Sequence, residues 1–198
     1  EITLLENCIN LIKSLGIKRM ILNTFYLKEK IERFVEIKKF DLDITIVNDG
    51  KKILNTGGGI LNMINSSNDS DFLILNPDTV WNQGYLEKIK GMEDFYFTNQ
   101  IKNILLLVNK NLSFDKKLKG DFNLLKNKIK KDLQNDLIYT GCQIINRDLF
   151  NSYSVSDFSI SEVWNQLVSE NELYGYESLE SFYHLTNLKI YEKLLKNN

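Results

Sequence analysis

Apolar and polar positions along this chain switch between two periods, one helical and one of strand type. In ITLLENCINLIKSLG, residues 2–16, Leu4, Leu5, Cys8, Ile9, Leu11, Ile12 and Leu15 share one side of a helix, and Gly16 stops it. IKRMILNT, 17–24, reads as a short buried strand. YLKEKIERFVEIKK, 26–39, returns to helical spacing through Leu27, Ile31, Phe34, Val35 and Ile37. LDITIVN, 42–48, alternates as a strand, and a glycine loop then leads into a helix, GILNMINS, 59–66. DFLILNPDTVW, 71–81, is an apolar strand ending in polar residues, followed by a helix, QGYLEKIKGM, 83–92.

The second half changes character. NILLLVNK, 103–110, predicts another central strand, and KGDFNLLKNKI, 119–129, a small meander. LIYTGCQIIN, 137–146, is a long strand. SISEVWNQLVSEN, 159–171, is a helix with Ser159 or Ser161 as cap. LYGYES, 173–178, is a strand, and NLKIYEKLLKN, 187–197, a closing helix. The alternation of helix and strand predicts one α/β domain over residues 1–198, with a mixed, mainly parallel sheet and helices on both faces. The sequence opens on Glu1 in the middle of a helical pattern, so the expectation is that residues are missing upstream.

Charge and composition narrow the partners. With 25 basic and 26 acidic residues, the chain has no basic field for nucleic acid. The lysines clustered in 110–132 are interleaved with acids and apolar residues, the pattern of a solvated face. There is no apolar run of membrane-spanning length and no secretory pattern. Cys8 and Cys142 form neither a disulfide framework nor a metal spacing, and read as buried free thiols. A cytoplasmic protein is expected, and the oligomeric state is not legible.

Two polar clusters fall where strands end. Gly57-Gly58-Gly59 follows the strand at 42–48, and glycine-rich turns at a helix start offer free N–H groups to an anion or a ligand edge. The same triplet also fits a tight strand-to-helix turn. It has neither the G-x-G-x-x-G spacing of a dinucleotide-binding oxidoreductase nor the GK[ST] of a Walker loop. Asp78 lies just beyond the apolar strand residues 72–75. A carboxylate there suits Mg²⁺ and bridging phosphates, and it equally suits a turn.

Taken together, LNTGGGILNMI and DFLILNPDTVW resemble the sugar-phosphate nucleotidyltransferases, with their L-[ED]-T-G-G-G-I and N-G-D segments. KGDFNL (119–124), YTGCQIINRDLF (139–150), FSISEVWNQLVSENELYGY (158–176) and the closing FYHLTNLKIYEKL continue the resemblance in order along nearly the whole chain. The subgroup it is most similar to is the short bacterial type acting on N-acetylmuramate 1-phosphate or mannose 1-phosphate.

The resemblance implies transfer of a nucleoside monophosphate from an NTP (UTP or GTP) to a sugar 1-phosphate, releasing pyrophosphate, with Mg²⁺ as cofactor. It implies that Thr56, Gly57, Gly58, Gly59 and Asn76 bind the nucleotide, and that Asp121, Thr140 and Gly141 line the sugar. Asp78 would be the catalytic metal-holding carboxylate, and His184 the second metal position. Some residues depart from the family pattern. Asn55 replaces an acidic residue, Pro77 replaces the Gly of N-G-D, and His184 stands where many relatives carry Asp. The resemblance implies a Rossmann-like, three-layer α/β/α fold whose first strand and G-x-G-T-R…P-K-P loop are expected ahead of residue 1, so the chain alone is expected to be inactive. The alternative reading is a non-catalytic relative that binds a nucleotide sugar.

Overall fold

The computed structural model describes residues 2–196. The element order is α1 (Leu4–Ser14), β1 (Arg19–Thr24), α2 (Lys28–Lys38), β2 (Asp43–Asn48), α3 (Asn55–Ile64), β3 (Asp71–Leu75), α4 (Gly84–Thr98), β4 (Asn103–Asn109), β5 (Asn123–Leu125), β6 (Lys128–Lys130), β7 (Leu137–Asn146), α5 (Ile160–Ser169), β8 (Gly175–Ser178) and α6 (Leu188–Lys196). The closing helix was expected to reach Asn197, which lies outside the described residues.

Local chemistry sets several of these boundaries. The Thr3 hydroxyl accepts from Glu6 N–H at 3.1 Å and starts α1. Ser159 starts α5 in a capping box with Glu162, which settles the choice between Ser159 and Ser161. The expected meander is a hairpin. Lys126 and Asn127 form its two-residue turn, both at positive φ (50° and 62°), as a type I′ turn between β5 and β6 requires.

The strands form three sheets. β1 pairs with β2 in parallel. The main sheet has the order β3-β7-β4-β8, with β7 antiparallel to both of its neighbours and β8 parallel to β4. The β5–β6 hairpin is a separate ladder, tied to the main sheet by Ile129 N–H to the Leu173 carbonyl at 2.8 Å and Gly175 N–H to the Asn127 carbonyl at 2.9 Å. β4 organises the layers, because successive side chains point to opposite faces. Leu105 and Leu107 pack with Ile60, Leu61 and Ile64 of α3 and with Val163, Trp164 and Leu167 of α5. Ile104 and Leu106 pack on the other face with Cys8 and Ile12 of α1 and Tyr85, Ile89 and Met92 of α4. Residues 104–108 have no exposed surface, and burying each such side chain is worth about 1.5–3 kcal/mol. Helices thus cover both faces of a mixed sheet. Both cysteines are buried free thiols.

Three expectations are corrected. The strand expected over 71–81 ends at Leu75, because Pro77 cannot donate to a ladder and Asn76 to Asp78 turn away. The helix expected over 83–92 runs on to Thr98, carried by Tyr96 packing into the core. The glycine loop is not a loop. Gly57 to Gly59 lie within α3, which begins at Asn55, four residues earlier than its apolar spacing suggested.

Candidate functional site

In open α/β sheets the carboxyl ends of the strands carry ligands. Beyond the end of β3, the structure gathers Asn76, Asp78, Thr140, Gly141 and His184. Asn76 N–H donates to the Gly141 carbonyl at 2.8 Å, which ties the turn after β3 to β7. Gly141 has φ +89°, and a Cβ on it would stand 2.8 Å from the Asn76 Cβ, so only glycine fits beneath Asn76. The Trp81 indole N–H caps the Asn76 carbonyl at 3.1 Å.

From Asp78 onward the chain lies against residues 183–185. Leu185 N–H donates to the Asp78 carbonyl at 2.8 Å, and Val80 N–H to the Tyr183 carbonyl at 2.9 Å. This short antiparallel pairing brings His184 alongside Asp78, with 3.6 Å between Nδ1 and Oδ1. Thr79, fully buried, donates its hydroxyl to the Thr140 carbonyl at 2.9 Å, and its oxygen stands 3.5 Å from His184 Nδ1. Nδ1 therefore faces two acceptors. A proton assigned to it leaves the Nε2 lone pair free. The imidazole stacks on Phe182, with centroids 5.8 Å apart and planes 5° apart.

Asp78 Oδ1 is buried and has no hydrogen-bond partner. A carboxylate oxygen left unsatisfied in this way is costly unless a cation or donor meets it. That orphaned oxygen fits a divalent cation. Among the described residues no cluster of three or more His, Cys, Asp or Glu would hold one unaided. Such sparse protein ligation suits Mg²⁺, which keeps waters and takes substrate phosphates around one or two carboxylates. The Tyr139 phenol interacts electrostatically with Asp78 and Cys142. Burial first, then the charges of Cys142 and Asp78, push it well above its ordinary value, so it stays protonated.

The glycine group is built differently. Gly57 and Gly58 N–H both donate to the Phe158 carbonyl, at 2.9 and 3.2 Å. The Thr56 hydroxyl accepts from Ile160 N–H at 3.0 Å. A Cβ on Gly57 would strike the Phe158 ring, and one on Gly58 would overlap the Ser156 carbonyl. Those two glycines let α3 approach residues 156–160 closely, and their N–H groups are already engaged rather than free for a ligand as expected. Gly59 faces the other way, 3.0 Å (for an added Cβ) from the Asn23 side-chain amide.

That side holds a polar group the sequence reading missed. Asn23 Nδ2 donates to Asp49 Oδ2 at 3.2 Å, and Asn62 Nδ2 to Asp49 Oδ1 at 3.3 Å. The signal was available: Asp49 follows β2 directly, as Asp78 follows β3 closely.

Asp121 lies apart from both groups. It lines a cavity of about 340 Å³ with Tyr139, Trp164, Asn165, Lys131 and Ser161. Its Oδ2 accepts from Tyr139 N–H at 2.9 Å. Burial raises its pKa, against the lowering effects of that hydrogen bond and of Lys131. The Tyr139 and Trp164 rings meet edge to face, 4.9 Å between centroids. The expected sugar residues are therefore divided: Thr140 and Gly141 stand with Asp78, while Asp121 borders this separate cavity.

No helix among the described residues is long and apolar enough to cross a membrane. No protein-family model matches the chain, and no curated protein matches it. Solved structures do. A UDP-glucose pyrophosphorylase from Acinetobacter baumanii superposes with a TM-score of 0.77 at 14% identity, covering 98% of this chain and 81% of that one. The inositol-1-phosphate CTP transferase from T. maritima gives 0.73 at 15% identity, over 98% and 82%. A UDP-glucose pyrophosphorylase complexed with UDP-glucose gives 0.74 at 14% identity, over 98% and 87%. At such identities the likeness is one of fold: the chain has the Rossmann-like α/β fold of these nucleotidyltransferases.

Proposed function

We propose that this chain belongs to an enzyme that transfers a nucleoside monophosphate from an NTP to a sugar 1-phosphate, giving an NDP-sugar and pyrophosphate. The observation that carries the reading is the unpartnered, buried Oδ1 of Asp78 beyond the end of β3, in a fold shared with nucleotidyltransferases. Asp78 would hold Mg²⁺, with His184 as the second position through the Nε2 that its Nδ1–H, turned toward Asp78 and Thr79, leaves free. When bound, that ion would neutralise the phosphates of the NTP. Thr79 and Phe182 fix the imidazole, and the protonated Tyr139 adds no competing charge. The NTP is UTP or GTP and the sugar 1-phosphate is of the N-acetylmuramate or mannose type. The base lies on the Gly59 side of α3, with Thr56, Gly57 and Gly58 holding that helix in place, and Asn76 faces the ribose and phosphates. The sugar is met by Thr140 and Gly141, while Asp121 stays with its separate cavity. Catalysis then consists of positioning and charge neutralisation.

The test is pyrophosphate release from UTP and GTP with a panel of sugar 1-phosphates and Mg²⁺. Release that Asp78→Asn abolishes supports the reading. Silence from every pair, in the chain and in any longer natural form, sinks it.

One observation favours the non-catalytic alternative: the Gly57 and Gly58 N–H groups already bond Phe158. Tight NDP-sugar binding that is indifferent to both Mg²⁺ and Asp78→Asn would establish it.

A further inference from the structure

The β1–β2 pair ends in a polar group that the activity proposed above leaves without a task. The two strands run in parallel and stop together, Thr24 opposite Asn48, and Asp49 N–H donates to the Thr24 carbonyl at 3.0 Å. Asp49 thus stands at the carboxyl edge of its sheet, where open α/β folds take their ligands. Asn23 Nδ2 reaches its Oδ2 from β1 at 3.2 Å, and Asn62 Nδ2 reaches its Oδ1 from α3 at 3.3 Å. The same Asn62 Nδ2 also donates to the Asn48 carbonyl at 3.2 Å, so both hydrogens of that amide are used.

The carboxylate is therefore aimed but not saturated. An ionised carboxylate accepts at about four lone-pair positions, and the two amides take one on each oxygen. One acceptor position on each oxygen remains. Among the described residues no Lys or Arg pairs with Asp49, so neutral donors alone meet it. Gly59 keeps α3 bare here: an added Cβ would stand 3.9 Å from Asp49 Oδ2 and 3.0 Å from the Asn23 amide. Beside this group the chain exposes apolar surface. Phe25 and Tyr26, the two residues after β1, are 40% and 80% exposed, and Ile53, between β2 and α3, is 57% exposed. A flat ligand with an apolar face and hydrogen-bond donors along one edge matches both parts of this group.

We propose that Asp49 selects guanine, so that the NTP is GTP. This choice rests on the nucleotidyl-transfer reading, which it narrows from two bases to one. Guanine carries two adjacent donors on one edge, N1–H and the 2-amino group, and the two oxygens of one carboxylate accept both, with charge assistance. Uracil carries a single N3–H between two carbonyls, so one carboxylate oxygen would face a carbonyl oxygen, and neither has a proton to give. Adenine and cytosine set their amino group beside a ring-nitrogen acceptor and meet the same obstacle. Asn23 and Asn62 are positioning residues: they hold the carboxylate from β1 and α3 so that its remaining acceptor positions stay fixed. Discrimination of this kind is strong, because the wrong base leaves a polar group unpaired.

Calorimetric titration of residues 1–198, and of any longer natural form, with GDP, IDP and UDP tests it. IDP is the guanine nucleotide without its 2-amino group. The parent should bind GDP at least about tenfold more tightly than either IDP or UDP, because each of those leaves a carboxylate oxygen unpaired. In Asp49→Asn the preference for GDP over IDP should shrink at least about threefold, because the charged acceptor pair is gone. Equal binding of GDP and IDP by the parent, or UDP as tight as GDP, would overturn the choice of guanine while leaving nucleotide binding intact. The parent series needs no variant, so it decides even where Asp49→Asn fails to fold. An Asp49→Asn protein with an unchanged urea midpoint that keeps the parent's preference, or weakens all three nucleotides alike, would also overturn it and make Asp49 a residue of the fold. Binding of none of the three by any form would instead bring down the nucleotidyl-transfer reading, and the choice of base with it.

Discussion

β3 and β4 carry nearly the same chemistry, FLIL in one and ILLLV in the other, yet they sit very differently. Residues 104–108 of β4 are wholly buried, whereas every residue of β3 is only half-buried. β4 lies between β7 and β8, while β3 pairs with β7 on one side and borders a cavity of about 700 Å³ on the other. β1 repeats the case of β3: RMILNT has a central strand's apolar run but buries only Thr24. Hydrophobicity makes a strand fit to be central, but its neighbours on both edges decide whether it is. The difference also separates two roles. β4 holds the fold together, and in the proposed function the end of β3 presents the chemistry.

Substitutions should divide accordingly. The largest effect belongs to the β3 end: Asp78→Asn should lower turnover at least about 10²-fold in the pyrophosphate assay while leaving the urea midpoint in place. Lost stability instead would make Asp78 a structural residue. Next comes the core. Leu106→Ala should cost about 2–5 kcal/mol in urea unfolding, and Leu73→Ala about half as much, because its site is already partly open. Equal losses would break the contrast between the two strands.

The glycines give a finer test. Gly58→Ala pushes a methyl into the Ser156 carbonyl and should destabilise by about 1–3 kcal/mol. At Gly59 the neighbour is the end of the Asn23 side chain, and alanine's helix preference of about 1 kcal/mol offsets the crowding. Gly59→Ala should therefore unfold within about 0.5 kcal/mol of the parent, while weakening nucleotide binding if the base lies on that side. The smallest effect concerns Asp121. Its carboxyl is raised by burial, so its contribution to stability is complete below the ordinary carboxylate range and declines as pH rises through the raised value. Asp121→Asn removes that decline. Thermal midpoints of parent and variant should coincide in acid and part toward neutral pH, with the variant higher.

Much of the fold was legible because it is local. The strands at 103–109 and 137–146 were visible as apolar runs, and the caps and turn residues mark their own helices and hairpin. What the sequence hid is non-local. Glycine disfavours helix, so the triplet read as a loop; its reason is a close approach to residues 156–160, about a hundred positions away. The reversal of β7 is equally invisible, since nothing in LIYTGCQIIN tells which way its neighbours run. Within the site, Asp78 was legible as a carboxylate past a strand. Its partnership with His184 depends on a pairing across 106 positions, and Asp49 was passed over for lack of a motif around it.

The junction of α3 with α5 has a dynamic consequence. Thr56 supplies the acceptor that Ile160 needs, and Phe158 supplies the acceptor for Gly57 and Gly58. Each helix start completes the other's first turn. Loosening either one strands donors on both, so the two ends open as a cooperative unit rather than fraying separately. Because that unit closes a loop of about a hundred residues, its formation carries a loop-closure cost that the contacts within each helix do not.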